Sequence, residues 1–175
     1  DKFPELHVLT DHLPSNVVID GELVCFTDDK PLSFNVLQTR IGRKNLTKKI
    51  LTEAPVVLLA YDILEFDGVD IRSKPHAERR VMLENLINQV NIPFLLKLSP
   101  LVRFDDWKEL RSLHPQSREM VSEGFMLKRK NGAYQVGRKK GDWWKWKVDP
   151  LSIVAVLIYA QMGHGRRADL YTDYT

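Results

Sequence analysis

Apolar positions in this chain come in short runs separated by turn signals. Val17-Val18-Ile19 and Leu23-Val24-Cys25-Phe26 read as strand, interrupted by Asp20-Gly21-Glu22. A helix is expected after Ser33, a residue able to cap it; Phe34, Leu37 and Ile41 share one face, Arg40 lies on the other side, and Gly42 ends it. The run from Val56 to Phe66 predicts a long strand, and Phe66-Asp67-Gly68-Val69 predicts a tight hairpin turn, because Asp-Gly tolerates positive φ. Pro75 suits a first helical turn, and Leu83, Leu86, Ile87 and Val90 follow at i, i+3, i+4, i+7 spacing. Residues 92–102 read as strand, with Pro93 and Pro100 near its ends. Asp105 or Asp106 can cap a helix holding Trp107 and Leu110 that Pro115 stops. Residues 125–129 and 134–136 predict strands around an Asn131-Gly132 hairpin turn, and residues 143–148 and 151–160 predict two more. The pattern is α+β, with mostly antiparallel strands and helices inserted between them.

Composition changes this picture little. The 175 residues suffice for one domain, or a domain and a fragment, at 43% hydrophobic and 28% charged residues. No apolar run approaches the roughly 20 residues of a membrane span, so no membrane is expected as a partner. Cys25 alone rules out an internal disulfide, fits a reducing, cytoplasmic compartment, and sits in an apolar run as a small core residue. The net charge of +3 hides a contrast: residues 124–147 hold eight Lys/Arg and one acid, +7, which leaves −4 for the rest. Such a cluster suits an anionic partner such as phosphate or nucleic acid, and equally a solvated surface hairpin.

Four blocks could carry chemistry. In Asp20-Gly21-Glu22, a glutamate at a strand bend can reach a ribose hydroxyl or a metal-bound water; alone, the block reads better as a turn with a solvent-facing carboxylate. In Tyr61-Asp62-Ile63-Leu64, followed by Asp67-Gly68, the ring of Tyr61 can stack on a purine or fill the core. In Glu123-Gly124-Phe125-Met126-Leu127-Lys128, a carboxylate just before a strand can hold a divalent cation or its waters, or simply end a helix. In Trp143-Trp144-Lys145-Trp146-Lys147, strand alternation puts both lysines on one face, with Trp144 and Trp146 on the other. That is a phosphate clamp backed by a buried aromatic layer, or an edge strand protected by lysines.

The order of the four blocks resembles the motif set of covalent nucleotidyltransferases, and within them ATP-dependent DNA ligases. Residues 123–129 and 141–150 are especially similar to bacterial and archaeal members, and the resemblance runs over nearly the whole chain. It implies an antiparallel-sheet, ATP-grasp-like nucleotidyltransferase domain over residues 1–149, lacking its N-terminal part. Residues 150–175 would be the first strands of an OB-fold, with Gly163 to Arg167 as the turn between them and His164 an exposed loop residue. It further implies that Glu22 binds the ribose of ATP or AMP and assists with metal, and that Tyr61 stacks on adenine. Glu123 would coordinate Mg2+, and Lys145 and Lys147 would contact the α-phosphate. Arg40, Arg43, Arg138 and Lys139 are weaker candidates for contacts to the phosphates of nicked duplex DNA. The enzyme would act as a monomer at the nucleoid of a bacterium or archaeon.

Such ligases use a Lys-x-Asp-Gly nucleophile that forms a lysyl-AMP intermediate before the nick is sealed. No lysine here is followed by x-Asp-Gly; Lys147-Val148-Asp149-Pro150 comes nearest, with proline for glycine. The nucleophile is therefore expected upstream of Asp1, no catalytic residue is assigned within the chain, and both ends look like cuts through a larger protein. The alternatives are an RNA ligase or mRNA-capping guanylyltransferase, and a non-catalytic DNA-binding domain derived from a ligase.

Overall fold

The computed structural model describes residues 2–27, 30–137 and 139–175. After a 3-10 turn at Pro4–Val8 and a one-turn helix α1 (Leu9–His12), strand β1 runs over Val18–Thr27 and β2 over Lys30–Pro31. Helices α2 (Phe34–Ile41) and α3 (Lys48–Glu53) lead to β3 (Val56–Phe66), the long strand the apolar run predicts. β1 lies antiparallel to β3, from Val18 opposite Glu65 to Cys25 opposite Val56. The expected break at Asp20-Gly21-Glu22 is instead a register shift within one continuous strand. Gly21 explains how the ladder stays closed there: a Cβ would come within 2.7 Å of the Leu59 carbonyl oxygen.

The Asp67-Gly68 turn forms as expected, with φ of 51° and 75°, and returns the chain as β4 (Val69–Asp70). Helix α4 (His76–Val90) then packs on β3, burying Leu83, Leu86 and Ile87, and ends in the left-handed Asn91. The strand expected over residues 92–102 shrinks to β5 (Leu96–Leu98), parallel to β3. The N–H groups of Leu95 and Leu96 turn back to the Ile92 carbonyl, and Pro93 and Pro100 have none to give a ladder. Helix α5 (Trp107–Leu113) is capped by Asp106, whose carboxylate accepts the Glu109 N–H at 2.8 Å. Pro115 sits in the 3-10 turn that follows.

Strands β6 (Gly124–Lys128) and β7 (Trp143–Lys147) form a separate antiparallel pair. Residues 134–136 are not the second strand of a hairpin at Asn131-Gly132. The Gly132 carbonyl accepts the His76 N–H, and the Tyr134 N–H donates to Arg72, so this connection is stitched to the start of α4. Residues 151–157 are exposed and form no strand, for no neighbouring strand runs beside them among the described residues. Regular pairing is confined to β8 (Ala160–Met162) and β9 (Tyr171–Tyr174) around residues 163–167, where His164 is exposed.

Two cores result. One joins Ala60, Ile63, Ile71, Leu83, Leu86 and Leu96; the other joins Cys25, Leu37, Ala54 and Val56. Cys25 is a buried core thiol, as expected, and burial raises its pKa. α2 presents a different face from the expected one. Leu37 and Arg40 are buried, whereas Phe34 and Ile41 stay 62% and 46% exposed. Arg40 is therefore no DNA contact in this fold. Its guanidinium donates to both oxygens of Glu5 at 2.6 and 2.5 Å and to the carbonyls of Lys2 and Ala54, and lies 5.0 Å from the Phe3 ring centroid. With its donors so engaged, a buried cation is tolerated.

Candidate functional site

Tyr61 and Glu22 sit on the large sheet, and Glu123, Lys145 and Lys147 belong to the β6–β7 hairpin. Gly124, just after Glu123, approaches the other strand so closely that a Cβ would fall on the Trp146 carbonyl oxygen. Residues directly opposite in an antiparallel pair share a face. Lys128 pairs with Trp143, Met126 with Lys145 and Gly124 with Lys147, so Lys128, Met126, Trp143, Lys145 and Lys147 form one face. The other face carries Leu127, Trp144, Phe125 and Trp146. Its aromatic layer is real but partial. His114 stacks on Trp146 at 4.1 Å, its ring Nε2–H donating to the Trp146 carbonyl at 2.9 Å, and meets Phe125 edge-on, while Trp144 remains 47% exposed.

The lysine face of the hairpin meets β3 at an aromatic cluster. The Trp143 ring stands edge-to-face with Tyr61, Tyr134 and His76 at 6.2, 5.4 and 6.4 Å. Both phenols donate to one carboxylate: Tyr61 to Asp20 Oδ1 at 3.0 Å and Tyr134 to Asp20 Oδ2 at 2.7 Å. Burial together with this carboxylate pushes the Tyr61 hydroxyl pKa well up and that of Tyr134 to about 12, so both stay donors at neutral pH. Lys128 reaches across the gap. Its Nζ lies 3.8 Å from the Trp143 centroid and 4.4 Å from that of Tyr61, and donates to the Tyr61 carbonyl at 3.4 Å. Beneath this cluster, Asp62 holds Arg79 of α4 with two bonds of 2.8 and 2.9 Å, both side chains fully buried. The buried His76 lies beside them with its Nε2 unpartnered, and burial lowers its pKa, keeping it neutral.

The end of the hairpin that carries Glu123, Lys145 and Lys147 is open by contrast. Glu123 and Lys147 form an ion pair at 2.6 Å, and their side chains are 81% and 59% exposed. The Lys147 ammonium holds the Glu123 carboxyl below its ordinary pKa. Lys145 is exposed on the same face. Glu22 is exposed on β1, near enough for its charge to act on Tyr61. Among the described residues no three His, Cys, Asp or Glu side chains gather as a metal cluster. Of the DNA-contact candidates, Arg43 and Lys139 are exposed, Arg40 is buried, and Arg138 lies outside the described residues.

Sequence reasoning gave no role to Asp20, Asp62, His76, Arg79, Lys128, Tyr134 or Trp143. For Trp143 and Lys128 the signal was present. Period-two alternation from Lys145 puts Trp143 on the lysine face, and pairing β6 with β7 adds Lys128 opposite it.

The mixed α/β fold is that of a nucleotidyltransferase. It matches a solved structure described as mycobacterial DNA ligase D complexed with ATP and MES, with a TM-score of 0.63 and 30% identity, over 83% of this chain and 43% of that one. The ligase domain of LigD from M. tuberculosis matches with the same values. Residues 1–147 match the family of the ATP dependent DNA ligase domain, and the chain belongs to that family. A probable DNA ligase of Koribacter versatilis is 30% identical over 196 residues, covering the whole chain and 34% of that protein. A DNA ligase of Korarchaeum cryptofilum is 33% identical over 157 residues, covering 90% of the chain and 28% of that protein. The chain thus spans about a third or less of the length of these relatives. No helix among the described residues is long and apolar enough to cross a membrane.

Proposed function

We propose that this chain supplies the ATP-binding part of a DNA ligase that seals nicks in duplex DNA through a lysyl-AMP intermediate. The observation that carries this reading is the contact between the two halves of the site. Lys128 of the hairpin touches Tyr61 of the large sheet, so the base-side residue and the lysine-bearing strand face one space. Along that face Trp143, Lys145 and Lys147 follow at two-residue steps of about 7 Å, which lets a base lie at the aromatic end and phosphates at the lysine end.

In this reading Tyr61 stacks on adenine, Glu22 holds the ribose, and Lys145 and Lys147 bind the α-phosphate. Glu123 would hold Mg2+. Its exposed carboxylate fits that ion, which usually takes one or two carboxylates together with substrate phosphates, and Glu22 could add a second. Bound there, the ion would neutralise charge on the phosphates. Lys147, now paired with Glu123, would turn to the phosphate as the ion takes its place. With no Lys-x-Asp-Gly in the sequence, the nucleophile is assigned to a part of the protein outside these residues. Residues 150–175 are read as the beginning of an OB-fold, residues 1–149 as the nucleotidyltransferase domain, the protein as a monomer of the cytoplasm, and Arg43 and Lys139 as contacts to the DNA backbone.

Incubating the intact protein with radiolabelled ATP and GTP tests this. The expected result is a covalent adduct with ATP that is chased by nicked DNA. Labelling by GTP alone would move the protein to the capping guanylyltransferases, and labelling by neither would leave a non-catalytic DNA-binding domain.

A further inference from the structure

We infer that Lys128 is the occupant a nucleotide base must displace: its side chain spans the gap between the large sheet and the β6–β7 hairpin and covers the Tyr61 ring. The inference rests on the reading of Tyr61 as the base-stacking residue.

The geometry is direct. Stacked aromatic atoms sit about 3.5–4 Å apart, and the ammonium, 4.4 Å from the Tyr61 centroid, occupies the space just above that ring where a stacked base would lie. On its other side it lies 3.8 Å over Trp143. A base cannot share the space with it. Nor is the ammonium tied down. It carries three donors, and its hydrogen bond to the Tyr61 carbonyl is long, at 3.4 Å. Two cavities of about 250 and 350 Å³ are lined by other residues, around Asn91 and around His12.

The charged groups around Lys128 pull in opposite directions. From β1 and β3, Asp20 and Asp62 favour the ammonium; from α4, Arg79 and Arg80 oppose it, and the neutral His76 adds no charge. The Tyr61 and Tyr134 phenols remain protonated. Desolvation outweighs the rest and holds the Lys128 amine down at about 8. An amine released into water returns to about 10.5. The displaced state therefore binds more protons between those two values, and base binding weakens as pH rises through 8.

Calorimetric titration of the intact protein with adenosine, a base without phosphates, reads this displacement. Wild-type affinity should fall about tenfold from pH 7 to pH 9. Lys128→Ala should bind about three- to tenfold more tightly than wild type at pH 9 and lose the pH dependence. Lys128→Arg, which refills the cage, should bind no better than wild type. Equal or weaker binding by Lys128→Ala overturns the inference alone, whereas no binding by any variant, Lys128→Ala included, overturns the reading of Tyr61 and the inference with it. Tryptophan emission of the ligand-free protein supplies an independent check. It should titrate with a midpoint near 8 in wild type and not in Lys128→Ala, and a flat wild-type curve places the lysine outside the cage and overturns the inference.

Discussion

Asp62 and Glu123 are both carboxylates paired with a cation, and they are built in opposite ways. Asp62 and Arg79 are fully buried, and the guanidinium donates further to the carbonyls of Arg72, Lys74 and Gly132. Glu123 and Lys147 stand mostly in water and share a single short contact. A buried pair cannot exchange partners without leaving a bare charge, so it fixes geometry. An exposed pair loses little when either member turns to a ligand. The large sheet thus holds the aromatic cluster in place with the same device that Arg40 and Glu5 use at the other core, whereas the hairpin keeps its charges available.

The comparison breaks first if Asp62 is dispensable. Asp62→Asn leaves the Arg79 guanidinium buried without a counter-charge, and should cost about 3–5 kcal/mol in urea denaturation. A loss below about 1 kcal/mol would mean that the carbonyls around Arg79 suffice. Because α4 and the residues near Gly132 are tied together through Arg79, nucleotide binding should fall as well.

Lys128 gives the intermediate case: a cation on the exposed hairpin whose own side chain is largely buried. Its folded pKa, about 8, lies below the ordinary value, so the folded state disfavours its charge. Below pH 8 this opposes folding; between about 8 and 10.5 the unfolded chain binds more protons, and stability rises with pH. Lys128→Met keeps the stem and removes the charge. At pH 7 it should stabilise the protein by about 1–2 kcal/mol, a figure reduced for residual solvent exposure. The difference from wild type should vanish near pH 10.5; a constant difference across that range would place the effect in packing rather than charge.

How much of this the sequence discloses differs between the same two regions. Elements with a strong local signal are legible: β3 from its apolar run, the Asp67-Gly68 turn, and α4 from its spacing. The shared face of Lys145 and Lys147 is legible too, because period-two alternation is a local rule and pairing with β6 respects it. What long-range contacts decide is not legible. Arg40 reads as a surface charge on a helix, and distant partners make it a core residue: Glu5, 35 residues away, and the carbonyls of Lys2 and Ala54. Tyr134 reads as strand, and distant partners explain its place: Asp20, Arg72 and the Trp143 ring. Residues 151–157 have the composition of a strand but lack a neighbour to complete the ladder. Asp20 reads as part of a turn, whereas the sheet brings two phenols onto it from distant positions.

The exposed pair should give the smallest effect on stability and a large one on chemistry, which separates it most cleanly from Asp62. Glu123→Gln removes the charge that Lys147 meets, yet both side chains are already solvated, so the melting temperature should stay at its wild-type value. Nick sealing by the intact protein should nevertheless fall about a hundredfold or more, since charge stabilisation by a bound metal is worth several kcal/mol. Raising the Mg2+ concentration should recover part of that activity if the carboxylate holds the ion. A variant that melts early yet seals nicks normally would show the reverse. Glu123 and Lys147 would then be a structural clasp on the hairpin, and the metal would have to be held by Glu22 or by residues outside this chain.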